Sequence, residues 1–203
     1  MKDCTKFVGL DVSKDTIAVA VAEEGRSQPR FIGMFPHTVE AVRNLVRQLN
    51  EDGIQLEFCY EAGPTGYGLY RLLRAMDMPC TVVAPSLIPI RQGDRVKTDR
   101  RDALRLAQLF RAGELVAVFV PNENNESLRD LVRAREDALE DRLRARHRLS
   151  KFLLRHNRRP ETRLRAWGKM HRRWLDSLRW RDRREQMVFQ EYLHQTLSRS
   201  SLC

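Results

Sequence analysis

The order of hydrophobic periodicities between Lys6 and Ala84 limits the folds open to this chain more than any other feature. Phe7, Val8, Gly9, Leu10, Asp11 and Val12 read as a strand, and Ser13-Lys14-Asp15 as a turn. Thr16 to Ala22 alternates β-branched residues with Ala and reads as a second strand; Arg30 to Phe35 reads as a third. Val39, Val42, Leu45, Val46 and Leu49 then recur at a helical spacing. Leu56 to Tyr60 is a short buried strand ending at Glu61, followed by the turn Gly63-Pro64-Thr65-Gly66. Tyr67 to Met76 is helical, and Cys80 to Ala84 forms a fifth strand. Hairpins come first and parallel crossovers after them, which predicts an α/β fold built on a mixed sheet.

The order β-β-β-α-β-α-β is the RNase H-like arrangement. After Pro85 comes a loop rich in Arg, Gly and Asp, then a helix from about Asp99 to Ala112. Pro121 and the Asn-rich stretch Asn122 to Asn125 form the next break. A long helix spans about Ser127 to Arg155, with Leu128, Val132, Leu139, Leu143, Leu149 and Phe152 in a roughly heptad-like pattern that Arg interrupts. It is a candidate antiparallel hairpin or coiled coil. Arg158-Arg159-Pro160 ends it, and a further helix carries Trp167, His171, Trp174, Leu175 and Leu178, mostly on one face. The expected organisation is a catalytic domain over 1–121, a basic helical region for nucleic-acid binding and dimerisation over 122–193, and a tail over 194–203.

The charge divides along the same line. Residues 1–128 hold 16 Lys/Arg against 17 Asp/Glu, while residues 129–185 hold 20 against 9, and the whole chain carries +10. Such a split suggests chemistry in the first part and polyanion binding in the second; a solvated helical surface with surplus Arg is the plainer alternative. Arg133, Arg135, Arg142, Arg144, Arg146, Arg148, Arg155, Arg158 and Arg159 lie along and just past the long helix, and Arg172, Arg173, Arg179, Arg181, Arg183 and Arg184 follow. Arg suits bidentate phosphate contacts. We take Arg142, Arg146, Arg155, Arg158, Arg159, Arg172 and Arg173 as the candidate nucleic-acid contacts. Trp167, Trp174 and Trp180 could stack on unpaired bases, although Trp167 and Trp174 read better as core of a helical hairpin. His147, His156 and His171 have no carboxylate partner identifiable from sequence and read as structural or phosphate-facing.

Cys4, Cys59, Cys80 and Cys203 form no CxxC pair and no zinc-site spacing; Cys59 and Cys80 sit in apolar runs and read as small core residues. This suits a reducing cytoplasm. The N-terminus lacks an apolar signal core, and no apolar run approaches the roughly 20 residues that span a bilayer.

Four carboxylates stand where strand ends and a helix start could gather them. Asp11 lies among apolar strand residues, where a charge is costly unless paired or bound to metal. Glu61 ends the fourth strand, and the carboxyl ends of strands are where open α/β sheets place ligands. Asp99 and Asp102 are three apart and share a helix face. Oxygen ligands of this kind suit Mg²⁺, and Mn²⁺ in its place; two such ions about 4 Å apart can activate a nucleophile and stabilise a leaving oxygen in phosphoryl transfer. Each residue also has an ordinary structural reading: Asp11 as a turn residue, Glu61 bonded to a local amide, Asp99 or Asp102 as a helix cap. Asp15 and Asp94 read as turn residues.

At Phe7-Val-Gly-Leu-Asp-Val-Ser-Lys14, Tyr60-Glu-Ala-Gly-Pro-Thr-Gly66 and Lys97-Thr-Asp-Arg-Arg-Asp-Ala103 the sequence resembles the DEDD transposases of bacterial insertion sequences, the group that includes the Piv pilin-gene invertases. The first stretch alone is shared with many RNase H-like and actin-like proteins; the second and third in this order are specific. The resemblance extends to about Leu193. It implies that Asp11, Glu61, Asp99 and Asp102 are the catalytic and Mg²⁺-coordinating set. It also implies site-specific DNA recombination, guided in some members by a structured RNA. Family members continue into a second domain with a serine proposed as the nucleophile. This chain stops at Cys203, so a truncated or frame-shifted product or a fragment is expected, and the nucleophile role is not transferred to Ser198, Ser200 or Ser201. The competing readings are a non-catalytic nucleic-acid-binding fragment, a RuvC-type junction nuclease and, on the first motif alone, an actin-like kinase. The expected partners are DNA, a structured guide RNA and a second copy joined through the long helix.

Overall fold

Five strands form one sheet in the order β3-β2-β1-β4-β5. They are β1 (Cys4–Val12), β2 (Thr16–Glu23), β3 (Arg30–Pro36), β4 (Ile54–Glu61) and β5 (Cys80–Val83). The first three are antiparallel, while β4 pairs parallel to β1 and β5 parallel to β4. This mixed order is consistent with an RNase H-like fold. The computed structural model describes residues 4–50, 54–89 and 98–197. The chain divides into two units, Met1–Val120 and Pro121–Cys203.

The first unit buries both faces of its sheet, and the side-chain alternation of each strand decides what covers each face. Val8 and Leu10 of β1 join Ile17, Val19, Phe58 and Tyr60 on one face. There they pack against α1 (Val39–Leu49) and α2 (Gly68–Arg74) through Val42, Leu45, Leu69 and Leu73. Helix α1 occupies the span its periodicity predicts, and the Thr38 side chain caps it by accepting from the Ala41 N–H. The opposite face is paved with small residues: Ala18, Ala20 and Ala22 of β2 meet Ala103 and Ala107 of α3 (Asp99–Arg111). Small residues let the helix backbone come close, and at Gly9 the approach is closest. A Cβ there would stand 2.4 Å from the Ala107 nitrogen and 2.5 Å from the Ala103 oxygen.

The second unit contains α4 (Glu123–Arg155), α5 (Lys169–Ser177) and α6 (Arg183–Leu197). The Asn-rich stretch expected as a break instead starts α4: Asn122 is the N-cap and accepts from the Asn125 N–H at 2.8 Å. Asn favours that position, and Glu123 and Glu126 in the first turn complement the helix dipole. At the other end Asn157 turns into the left-handed region (φ 51°), and the Arg158 N–H returns to the Leu153 oxygen.

Only the last part of α4 enters the core of this unit, where Leu149, Phe152 and Leu153 meet Leu175 and Phe189. Leu128, Leu131, Val132 and Leu143 remain 47–58% exposed, so the heptad-like stripe is not a packed coiled-coil seam here. Helix α6 was not anticipated and makes residues 194–197 helical. Its signal was present, since Phe189, Tyr192, Leu193 and Thr196 recur at helical spacing. Asp182 supports its start by accepting from the Arg184 N–H at 2.7 Å.

Candidate functional site

The β1–β4 register brings the first two carboxylates to one place. Leu10 pairs with Tyr60 in the parallel ladder, and Asp11 and Glu61 are the next residues on these neighbouring strands. Both follow the parity of Gly9 and Cys59, which lie on the face covered by α3; the buried Cys59 thiol donates to the Leu106 oxygen at 3.8 Å. Asp11 and Glu61 are half-buried. Tyr60 holds the adjoining turn, its hydroxyl donating to the Gly66 oxygen at 3.1 Å, and burial pushes its phenol well above the ordinary value.

Helix α3 supplies the other two. It runs antiparallel to β1: Phe110, near its end, meets Phe7 edge-on at 5.7 Å, while Ala103 and Ala107 sit over Gly9. Its start therefore points toward the Asp11 end of β1. Thr98 is the N-cap, and Asp99 and Asp102 occupy the first turn. Asp99 is exposed and Asp102 half-buried. Arg111 at the far end donates to the Glu23 and Ser27 oxygens at 3.0 and 2.7 Å, and Arg100 lies over the Phe31 ring at 5.4 Å. These contacts anchor the helix to the β2–β3 side.

The fit to a metal rests on donor chemistry and one orphaned atom. All four side chains offer hard oxygen, as Mg²⁺ and Mn²⁺ require. Asp102 Oδ2 is buried with no hydrogen-bond partner among the described residues, and such a buried oxygen is costly unless something compensates it. Among the described residues, however, no three His, Cys, Asp or Glu side chains gather closely enough to hold a metal ion. Asp11 and Glu61 thus end neighbouring strands on the face that α3 covers, and Asp99 and Asp102 begin that helix, without a closed ligand set among the described residues. Asp94 and Lys97, together with most of the Arg-, Gly- and Asp-containing loop, lie outside the described residues, as do Ser198, Ser200, Ser201 and Cys203.

The basic region of the second unit sorts into paired and unpaired cations. Arg144 bonds Glu140 and Asp141, Arg133 approaches Asp130 at 3.6 Å, and Arg184 bonds Asp182. Exposed pairs of this kind contribute little stability, but they neutralise those guanidiniums locally. Arg155 and Arg158 are spent on stacking, over Phe152 at 5.8 Å and Trp180 at 5.1 Å. Arg158 and Arg159 line an open pocket of about 600 Å³ with Glu161, Met170, Arg173 and Trp174. Arg146 lies over Trp167 at 4.8 Å.

The three tryptophans pack against the core of this unit, as expected for Trp167 and Trp174. One expectation is corrected: His156 does have a carboxylate partner, Glu185, at 3.5 Å. Glu185 comes from the unanticipated helix α6, so tertiary folding alone supplies the pair. His171 is structural, its Nδ1 accepting from the Trp167 N–H at 3.3 Å.

The fold is an α/β mixed sheet with carboxylates at adjacent strand ends, joined to an Arg-rich helical unit, and sequence comparison assigns the chain that carries it to a family. The profile of the IS110-type DEDD transposases, described as Transposase, matches residues 8–157. The chain belongs to this family. It is 46% identical over 193 residues to y4qE of Sinorhizobium fredii, which carries a transposase name, covering 95% of this chain and 49% of that protein. It is 34% identical over 187 residues to the transposase for insertion sequence element IS1533 of Leptospira borgpetersenii, covering 92% of this chain and 54% of that protein. The chain spans about half the length of these curated relatives. Among the described residues, no helix is long and apolar enough to cross a membrane.

Proposed function

We propose that this chain supplies the metal-dependent strand-cleaving centre and a nucleic-acid-binding surface of an insertion-sequence transposase acting in the cytoplasm. Family membership supports the transposase reading. The observation that carries the assignment of the centre is the shared face: Asp11 and Glu61 follow a registered parallel pair on the side that α3 covers, and Asp99 and Asp102 begin that helix. Asp11, Glu61, Asp99 and Asp102 would hold Mg²⁺ or Mn²⁺. When bound, the metal supplies Lewis-acid stabilisation of charge on phosphodiester oxygens. Asp102 Oδ2, buried without a partner among the described residues, would gain the most as a ligand.

In this reading Arg142, Arg146, Arg155, Arg158, Arg159, Arg172 and Arg173 face the phosphates of DNA and of a structured guide RNA. The exposed stripe Leu128, Leu131, Val132 and Leu143 on α4 is the seam through which a second copy would pair as a coiled coil.

The test is cleavage of supercoiled DNA bearing the element's ends by the purified chain, with Mg²⁺ or Mn²⁺ and with RNA transcribed beside the gene. Metal-dependent nicking abolished by Asp11→Ala and Asp102→Ala supports the centre. Nucleic-acid binding that survives both substitutions, with no cleavage in the intact chain under any of these conditions, refutes it and leaves a non-catalytic binding fragment. Cutting confined to four-way junctions would reassign it as a junction nuclease. Sequencing the nucleic acid that copurifies from the native locus tests the guide: one enriched structured RNA supports it, and bulk random RNA and DNA removes it.

A further inference from the structure

Arg146 differs from the other arginines of its helix. Its guanidinium lies over the Trp167 ring at 4.8 Å. Trp167 is itself fixed: its N–H donates to His171 Nδ1 at 3.3 Å, and its ring meets His171 edge-on at 5.3 Å. Trp167 also sits at φ 63°, a region that bulky side chains rarely adopt, and such strain concentrates at ligand clamps and other functional places. Burial lowers the Arg146 pKa, and repulsion from Arg142, one turn earlier on α4, and from Arg172 on α5 adds to it. Among the described residues no carboxylate pairs with it, and its Nε is buried without an acceptor. Arg142 stands one turn before Arg146 on α4, and Arg172 follows the His171 that holds Trp167, so both flank a guanidinium locked by an aromatic face, with no carboxylate bonded to that guanidinium among the described residues. A solvated basic surface does not need this. Arginines there spread apart or pair with neighbouring acids, as Arg133 and Arg144 do.

We infer that Arg142, Arg146 and Arg172, assembled on the Trp167 platform, form a preorganised site for one backbone phosphate of a nucleic-acid strand. The inference rests on the nucleic-acid reading above and narrows it. Within the basic surface the Arg142/Arg146/Arg172 cluster is the anchor. Guanidiniums offer forked donors that match phosphate oxygens. Desolvation by the indole strengthens the contact and holds Arg146 in place beforehand, so little side-chain entropy is lost on binding.

The experiment measures binding of the full chain to fluorescein-labelled single-stranded RNA, single-stranded DNA of the same sequence and the DNA duplex, over a salt series. Variants are Arg172→Glu, Arg146→Ala, Arg146→Lys and, as control, Arg133→Ala. Arg172 is exposed, so its substitution leaves folding intact, and circular dichroism melts monitor the Arg146 variants. Arg172→Glu and Arg146→Ala are expected to weaken binding about tenfold or more and to lower the salt slope by about one contact's worth, roughly 0.7–0.9. Arg146→Lys, which keeps charge but loses the planar stack, should fall between, and Arg133→Ala should match the intact chain. Loss with RNA alone, DNA alone or both supports the site and identifies the strand it takes. Intact binding with unchanged slope in Arg172→Glu and Arg146→Lys overturns the site while the broader reading stands. An intact chain that binds none of the three probes overturns both.

Discussion

Gly9→Ala should displace helix α3. The new Cβ would meet the Ala107 nitrogen at 2.4 Å and the Ala103 oxygen at 2.5 Å. Ordinary contacts of this kind begin near 3.4 Å, so relief requires a shift of about 1 Å between strand and helix. Both obstructing atoms are backbone, so no rotamer change gives way. Overpacking typically costs about 1–3 kcal/mol, and occasionally more; here the cost belongs at the upper end, about 3 kcal/mol. At roughly 2–4 °C per kcal/mol for a chain of this size, the melting temperature should fall by about 6–12 °C. The assay is urea denaturation followed by tryptophan fluorescence and circular dichroism; all three tryptophans lie in the second unit, so circular dichroism must carry the reading of the first. Ala107→Gly should not rescue the variant, because removing that methyl leaves the clashing nitrogen in place. A Gly9→Ala chain within about 0.5 kcal/mol of the original, or one rescued by Ala107→Gly, would refute the argument that α3 rests on bare backbone at β1. Since α3 carries Asp99 and Asp102, the same substitution should cost metal-dependent cleavage even at temperatures where the chain stays folded.

Other consequences can be checked in the same preparations. Without metal, Asp102→Ala should leave the chain equally stable or more stable by about 1 kcal/mol, since it removes a buried oxygen that lacks a partner among the described residues. Millimolar Mg²⁺ or Mn²⁺ should raise the melting temperature of the intact chain but not of this variant, and an equal rise in both would count against Asp102 as a ligand. Burial pushes the Cys59 thiol up, with Cys80 adding to it, and pushes Cys80 up to about 12. Iodoacetamide at pH 8 should therefore label the exposed Cys4 and spare Cys59 and Cys80 until denaturant is added, as read by peptide mass mapping. Burial lowers the His171 pKa below its ordinary 6.5. The unfolded chain then binds the proton more readily, so this residue's contribution to stability is present above about pH 6.5 and declines as the pH falls below it. His171→Asn should flatten that part of the stability profile, and an unchanged slope between pH 7.5 and 5 would dismiss the assignment.

Much of the first unit was legible in the sequence because its signals are local. The hairpin Phe7–Ala22, the helix Val39–Leu49 and the strand ending at Glu61 announce themselves by period and by turn residues, and the observed elements fall on them with ends moved by only a few residues. The resemblance then singled out Asp11, Glu61, Asp99 and Asp102 and the family. The charge split marked the basic half. Helix α6 was missed although its apolar spacing was present, because a run of Arg before it and polar residues within it hid the stripe. The Asn stretch reads as a break in sequence because Asn serves both turns and helix caps, and only the following chain decides which.

Tertiary structure decided what depends on pairing between distant residues. Register is such a property: the alternation of β1 is the same whichever strand lies beside it, and only the parallel Leu10–Tyr60 pairing puts Asp11 beside Glu61. The face that α3 covers follows from where Ala18, Ala20, Ala22 and Gly9 leave room for it. The sorting of arginines into neutralised, stacked and uncompensated groups was likewise invisible in a list of basic residues, because Trp167, Phe152 and Trp180 select among them through contacts made only in the folded unit. Residue type and spacing thus mark which side chains could carry chemistry, and long-range packing decides which of them meet.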